Sequence, residues 1–118
     1  MAVVGLGCDI IEIDRIRESC QSSPRFLEKI FTPREQEYCN SHSSKYQHYA
    51  GRFAAKEAIG KAIGVPLSWR DVEIISNAQG KPEVNLYGEA REIAGQYRIT
   101  VSISHSRHNA VAVAVMED

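Results

Sequence analysis

Residues 46–63 read YQHYAGRFAAKEAIGKAI and carry the clearest helical pattern in the chain. Apolar side chains recur in it at a spacing near 3.6 residues, as on one face of an amphipathic helix, at Tyr49, Phe53, Ala54, Ala58 and Ile63. The sequence Gly64-Val65-Pro66 that follows is a typical helix stop. This stretch therefore predicts the longest helix of the fold.

Strand patterns lie on both sides of this helix. Residues 2–11, AVVGLGCDII, are apolar and β-branched and predict a buried strand that ends near Asp9. Further strands are predicted at 72–76, 83–86, 98–104 and 110–115, the first two as a hairpin. The last of them alternates alanine and valine, so its alanine face predicts close packing against a helix or against another chain.

Shorter helices are predicted at 12–20, 25–30, 33–40 and 87–97. Thr32, Pro33 and Glu35 form a capping-box pattern at the start of the third. Inward positions are expected at Ile13, Ile16, Ala90, Ile93 and Ala94. With no linker or repeat, residues 1–118 are expected to form one small α+β domain, a long helix packed on an antiparallel sheet.

Composition excludes several classes of protein. The chain has 118 residues, of which 43% are hydrophobic and 25% charged, and a net charge of −1. That balance is typical of a globular domain and argues against a nucleic-acid binder. The longest apolar run, residues 110–116, is far shorter than the roughly 20 residues of a membrane span. Three cysteines without zinc-like spacing and no signal-peptide pattern favour reduced thiols and a cytoplasmic location.

Asp9 is the first candidate functional residue. A carboxylate at the end of an apolar strand is expected to be partly buried, and a buried charge needs a partner or a metal ion. It could equally cap the helix that follows, since Asp is a favoured N-cap residue. Residue types alone leave both roles open.

The long helix carries a second candidate site. Glu57 is a lone acid among Lys45, Arg52, Lys56 and Lys61. Glu57 and Lys61 share a face at i,i+4, which predicts either a simple ion pair or a site for a polyphosphate and a divalent cation. In the second case Arg52 and Lys61 would hold phosphate oxygens and Glu57 the metal.

His105 follows the predicted strand 98–104 and shares the face of Val101 and Ile103. A buried core histidine is one interpretation and a ligand-binding residue is the other. His42 and His48 do not extend it into a metal-ligand pattern. The Rossmann, P-loop and G-x-S-x-G motifs are absent.

Four segments considered together suggest a family. They are GLGCDI at 5–10, GRFAAKEA at 51–58, GKP at 80–82 and VSISHS at 101–106. In this order and at this length the chain resembles the holo-acyl-carrier-protein synthases, small bacterial 4′-phosphopantetheinyl transferases. The resemblance implies the fold of that family and a role in fatty acid biosynthesis. The activity it implies is transfer of the phosphopantetheine arm of coenzyme A to a serine of apo acyl carrier protein, which releases adenosine 3′,5′-bisphosphate.

The resemblance also implies functional residues. Asp9 and Glu57 would bind Mg²⁺, and Lys61 would contact phosphate, so these three are the expected catalytic residues. The coenzyme would be bound by Arg52, Lys61, Gly80, Lys81, Pro82 and His105. The group that accepts the serine proton remains open among Glu57, Asp9 and a water on the metal.

Partners follow from the same resemblance. Arg15 on the first helix would meet the acidic carrier protein, and Arg17 and Arg25 could extend that surface. The family forms trimers whose active sites lie between subunits, which the alanine face of 110–115 would suit as an interface. Two rival functions are a Mg²⁺-dependent hydrolase of a nucleotide or coenzyme A pyrophosphate, and a non-catalytic coenzyme A-binding module.

Overall fold

Five helices and five strands make up the computed structural model, which describes residues 1–118. In chain order they are β1 (Val3–Glu12), α1 (Ile13–Ser22), α2 (Pro24–Ile30), α3 (Pro33–Asn40), α4 (Lys45–Ile63), β2 (Val72–Ser76), β3 (Pro82–Leu86), α5 (Gly88–Ala94), β4 (Arg98–His105) and β5 (Asn109–Glu117). A short 3₁₀ turn, Trp69–Asp71, precedes β2. The predicted long helix is confirmed as α4, and Gly64 caps its C-terminal end with a left-handed φ of 89°.

Two antiparallel sheets are present. The larger has the strand order β1-β5-β4, and β2 and β3 form the predicted hairpin. The central strand β5 pairs with β1 on one side and with β4 on the other. Helix α4 covers the inner face of the larger sheet, so both the main core and the N-terminal half of the chain are built on this helix.

The alanine face of β5 is buried inside the chain. Ala110, Ala112 and Ala114 are almost fully buried, and the last two pack in the main core with alanines of α4. Small side chains allow the helix to approach the strand closely. Packing against a helix is therefore confirmed, and the use of this face between chains is wrong because the chain's own α4 already covers it.

The N-terminal half forms a second core. Helices α1, α2 and α3 pack around the first turns of α4 through Ile16, Phe31, Cys39 and Tyr49. The predicted capping box is present: Thr32 accepts from the Glu35 backbone N–H, and the Glu35 carboxylate accepts from that of Thr32. The inward positions of Ile13 and Ile16 are also confirmed.

Two predicted segments differ from the structure. β1 continues past Asp9 to Glu12, and its outer face is open, with Leu6 and Ile10 each 65% exposed. Helix α4 covers the inner face of the strand, and its outer face is uncovered, so the strand is buried on one face only. Helix α5 ends at Ala94, well before residue 97, and Ile93 is exposed. None of the helices combines the length and the apolar composition that a membrane span requires.

Candidate active site

Asp9 is brought beside α4 by two glycines that precede it on β1. A Cβ added to Gly5 would lie 2.1 Å from the Ala62 carbonyl oxygen, and one added to Gly7 would lie 1.8 Å from that of Ala58. Any other residue at these positions would clash, so the strand lies directly against the helix backbone. Alternate residues of a strand share a face, so Asp9 continues the row of Gly5 and Gly7.

Lys61 of α4 meets Asp9 at this contact. Its Nζ lies 3.2 Å from Asp9 Oδ1 and donates a hydrogen bond of 2.9 Å to the Cys8 carbonyl oxygen. The Asp9 side chain is only 17% exposed, whereas that of Lys61 is 54% exposed. Asp9 does not cap α1, because the N-cap position is Glu12. The ion pair of Lys61 is therefore with Asp9 and not with Glu57.

Glu57 completes the group, which we call the carboxylate site: Asp9, Glu57 and Lys61. The pKa of Glu57 is raised, mainly by burial and further by the negative charge of Asp9, while Lys61 opposes the shift. Because the charge of Asp9 acts on the pKa of Glu57, the two carboxylates are close enough to repel each other. Sequence reasoning named all three residues, and the structure brings all three together.

A cleft of about 480 Å³ opens next to the carboxylate site. Glu57 and Lys61 line it on the α4 side, and Pro66, Leu67 and Trp69 line it on the other. One wall is therefore charged and the other is mostly apolar. Such a cleft suits a ligand with an anionic end and a less polar arm.

Arg52 lies on another side of α4. The step from 52 to 61 is about two and a half helical turns, which places Arg52 opposite Lys61. The residue is only 4% exposed, donates to Ser76 Oγ at 2.9 Å and stacks 4.1 Å from the centre of the Tyr38 ring. Within one chain Arg52 therefore lies away from the carboxylate site, and its role in holding phosphate oxygens stays a prediction.

The remaining residues predicted to bind the coenzyme are spread over the surface. His105 is the last residue of β4 and is exposed, so the interpretation as a core histidine is wrong. Gly80 and Lys81 are exposed in the turn of the β2–β3 hairpin, and Pro82 begins β3. This hairpin belongs to the smaller sheet, whereas Asp9 lies on the larger one.

The three arginines predicted to meet a partner are exposed but do not form one group. Arg17 pairs with Asp14 and lies 5.6 Å from the ring centre of Tyr46. It shares a small cleft with Lys45 and Arg107. Arg25 lies in a different cleft, together with Lys29. Arg15 projects from α1 into solvent.

Sequence reasoning missed a buried ion pair beneath the cleft. Lys56 Nζ lies 2.8 Å from Glu35 Oε1, and both side chains are 0–1% exposed. Lys56 also donates to the carbonyl oxygens of Trp69, at 3.0 Å, and of Val72. The other carboxylate oxygen of Glu35 accepts from the Ile74 N–H at 2.8 Å. The capping box was the only sequence signal for this network, since it marks Glu35 but not its distant partner.

Comparison with known proteins identifies relatives of this chain. Residues 5–114 match the family model of the 4′-phosphopantetheinyl transferase superfamily. The holo-[acyl-carrier-protein] synthase of Clostridium novyi is 45% identical, with 98% of this chain and 88% of that protein covered. That of Chlamydia caviae is 47% identical, with 98% of both chains covered.

Solved structures show the same relationship. The holo-(acyl-carrier-protein) synthase of Bacillus anthracis in complex with CoA (3′,5′-ADP) has a TM-score of 0.83 at 36% identity, with 98% of this chain and 97% of that chain covered. The Helicobacter pylori enzyme in complex with coenzyme A has a TM-score of 0.82 at 32% identity, with 95% and 99% covered. The chain therefore belongs to the 4′-phosphopantetheinyl transferase superfamily. Within it, the relatives found are holo-[acyl-carrier-protein] synthases, so this chain is a transferase of that kind, and the predicted α+β fold is confirmed.

Proposed function

We propose that this chain transfers the 4′-phosphopantetheine arm of coenzyme A to a serine of apo acyl carrier protein in a Mg²⁺-dependent reaction of fatty acid biosynthesis. The observation that carries the proposal is the carboxylate site, held together by the close approach of β1 to α4. The relatives' names and the coenzyme A bound in two related structures support the same substrates. Residues 1–118 would act as one domain.

Asp9 and Glu57 would hold the metal ion. Two carboxylates offer the oxygen ligands that Mg²⁺ prefers. Mg²⁺ also keeps several waters and is commonly bound by one or two carboxylates together with substrate phosphates. When bound, Mg²⁺ would offset the negative charge of the pyrophosphate during transfer.

Two side chains of the protein would act on the substrates directly: Lys61 on the phosphate charge and Glu57 on the serine proton. Lys61 provides a point charge for phosphate oxygens, because its Nζ is exposed at the mouth of the cleft beside Asp9. In the reaction the serine oxygen bonds to the pantetheine-side phosphorus, and the bond from that phosphorus to the leaving adenosine 3′,5′-bisphosphate breaks. Glu57 would accept the serine proton, since it lines the cleft and makes no ion pair with Lys61.

We infer that the protein works as a homotrimer with shared sites. Arg52 lies on the opposite side of α4 from Lys61, so one coenzyme molecule could contact both only if two chains contributed. The exposed outer face of the larger sheet, with Leu6, Ile10 and Val113, offers an apolar surface for such assembly. Mixing inactive Asp9→Ala with inactive His105→Ala subunits should restore some activity, and a strictly monomeric mass in solution would contradict the trimer.

Arg15, Arg17 and Arg25 would receive the acidic carrier protein, since all three are exposed on the first two helices. Exposed charges of this kind act mainly on the association rate. Arg17 is already paired with Asp14, so Arg15 and Arg25 are the arginines free to contact a partner.

The test of the function is incubation with coenzyme A, Mg²⁺ and an apo carrier protein, followed by mass spectrometry. We expect the carrier to gain one phosphopantetheine arm and the solution to gain adenosine 3′,5′-bisphosphate. Release of free 4′-phosphopantetheine without a carrier would favour the hydrolase. Binding of coenzyme A without turnover would favour the binding module.

A further inference from the structure

The buried ion pair of Glu35 and Lys56 has no part in the proposed reaction, although it lies directly beside the cleft. Lys56 lines the cleft together with Glu57, its neighbour on α4. Its side chain is nevertheless only 1% exposed, whereas the side chain of Lys61 is 54% exposed. Lys61 can therefore offer its charge to a ligand, and Lys56 cannot.

The Lys56 ammonium group uses all three of its N–H donors inside the protein. One forms the ion pair with Glu35 Oε1 at 2.8 Å. The other two are donated to the carbonyl oxygens of Trp69, at 3.0 Å, and of Val72. Helix α4 is the charged wall of the cleft, and Trp69 belongs to the apolar wall. Lys56 thus joins the two walls to each other.

The segment that connects the two walls is held mainly at its ends. One end is Gly64, whose N–H donates at 2.8 Å to a carbonyl oxygen of α4. The other end is Trp69, whose carbonyl oxygen accepts from Lys56. Leu67 packs against the main core. No backbone hydrogen bond is made by the three residues between the turn and the helix cap: Val65, Pro66 and Leu67. The position of the apolar wall therefore depends on the bond from Lys56.

The Trp69 side chain is held by the same helix. Its ring stacks on that of Phe53, with 5.0 Å between the ring centres and 25° between the ring planes. Phe53 precedes Lys56 by three residues, so the two lie on the same side of α4. Backbone and ring of Trp69 are thus both fixed to the helix that carries Glu57.

We propose that Lys56 is a positioning residue, which holds the apolar wall at a fixed distance from Glu57 and so places the phosphopantetheine arm of coenzyme A for transfer. This inference rests on the proposed function for its ligand. Fixed placement of the reacting groups lowers the entropic barrier of a transfer reaction. Glu35 supplies the counter-charge that allows an ammonium group to be buried at this position. With a movable wall, the phosphates could still contact Lys61, but the arm would be bound loosely.

The test needs a variant that removes the bond to Trp69 without leaving a buried charge. Lys56→Met alone leaves the Glu35 carboxylate without a partner. The double variant Glu35→Gln/Lys56→Met removes both charges, and glutamine can still accept from the Ile74 N–H. Glu35→Gln alone is the matched control, because Lys56 keeps its acceptors at Trp69 and Val72. Thermal melts of both variants measure their stability.

Titration calorimetry in the presence of Mg²⁺ compares coenzyme A with adenosine 3′,5′-bisphosphate, which lacks the arm. Relative to Glu35→Gln, the double variant should bind coenzyme A severalfold more weakly and bind the bisphosphate with nearly unchanged affinity. Turnover at saturating coenzyme A should fall as well, by up to about a hundredfold, because the arm is displaced from the carboxylate site. A purely structural role of the ion pair would lower the melting temperatures without this difference between the two ligands.

The outcomes separate this inference from the function on which it rests. Equal affinity of the double variant and Glu35→Gln for coenzyme A would overturn the positioning role of Lys56, and so would equal losses for both ligands. In either case the transfer activity of the wild type would stand. Failure of the wild type to bind coenzyme A, or to modify the carrier protein, would instead overturn the proposed function itself.

Discussion

Gly7 on β1 lies so close to α4 that an added Cβ would stand 1.8 Å from the Ala58 carbonyl oxygen. This contact fixes the distance between the strand that carries Asp9 and the helix that carries Glu57 and Lys61. The geometry of the carboxylate site therefore depends on a residue that has no side chain. Close packing of β1 on α4 requires glycine at this position, and the same packing positions the side chains of the carboxylate site.

Gly7→Ala should separate β1 from α4 and lower both stability and activity. Overpacking of this kind costs about 1–3 kcal/mol, and the shift of Asp9 should reduce turnover as well. Gly60→Ala is the matched control, because nothing lies within 4 Å of a Cβ there, and alanine in a helix is favoured over glycine by about 0.5–1 kcal/mol. Chemical denaturation compares the two variants. Equal stabilities would show that the close approach does not constrain the fold.

Lys56→Met should be far more destabilising than Lys61→Met. The first change leaves the carboxylate of Glu35 buried without its counter-charge, and breaking a buried pair costs about 3–5 kcal/mol. The second removes an exposed lysine, whose pair is worth about 0–1 kcal/mol. Urea unfolding of the two variants checks the order. Comparable losses would mean that the Glu35–Lys56 pair is not what ties α3 and β2 to α4.

Acid should weaken the fold through Glu73. Burial raises the pKa of this carboxyl, but hydrogen bonds from Thr32, Tyr87 and Asn85 and the charge of Arg34 outweigh burial, so the pKa is lowered. A lowered carboxyl pKa adds stability above the unfolded value of 4.5, and that stability is lost as the pH falls towards the folded pKa. Glu73→Gln should thus be less stable than the wild type at pH 7, with a difference that narrows below about pH 4. A constant difference from pH 7 to pH 3 would rule out this role.

Arg15→Glu should raise the Michaelis constant for the carrier protein and weaken its dependence on salt. Exposed charges steer association and are screened within about 8 Å at physiological ionic strength. The constant for coenzyme A should hardly change, because Arg15 is not part of the carboxylate site. Arg91→Glu on the exposed side of α5 serves as the control. Equal effects on both substrates would show that Arg15 supports the fold or the site.

Local patterns in the sequence predicted the elements and the core of the site well. The period of α4, the capping box at Thr32 and the β2–β3 hairpin are all signals between neighbouring residues. Asp9, Glu57 and Lys61 were found from the residue types and the family resemblance together. Gly5 and Gly7 were a local sequence signal that Asp9 lies close to α4. Only the structure shows that a side chain at either glycine would clash with the backbone of α4.

Features that depend on distant partners were not predictable. Alternation placed His105 on an inward face, but β4 extends to that residue and leaves it exposed at the end of the sheet. The sequence predicted no special role for Lys56 among the basic residues of α4. Its ion-pair partner Glu35 is distant in the sequence, and nothing near Lys56 indicates the pairing. The alanine face of β5 was equally compatible with packing against a helix and with packing against another chain. Only the position of α4 in the structure decides between these two interpretations.

The most direct measurement of the central claim follows holo-carrier formation by intact mass, with coenzyme A and Mg²⁺, for the wild type and for Glu57→Gln. Glu92→Gln, an exposed change on α5, is the control. Loss of a metal-binding and proton-accepting carboxylate should lower the rate by about a hundredfold or more, while Glu92→Gln and the thermal melts stay unchanged. Wild-type rates in folded Glu57→Gln, or wild-type transfer that persists after Mg²⁺ is chelated, would contradict the carboxylate site as the centre of the reaction.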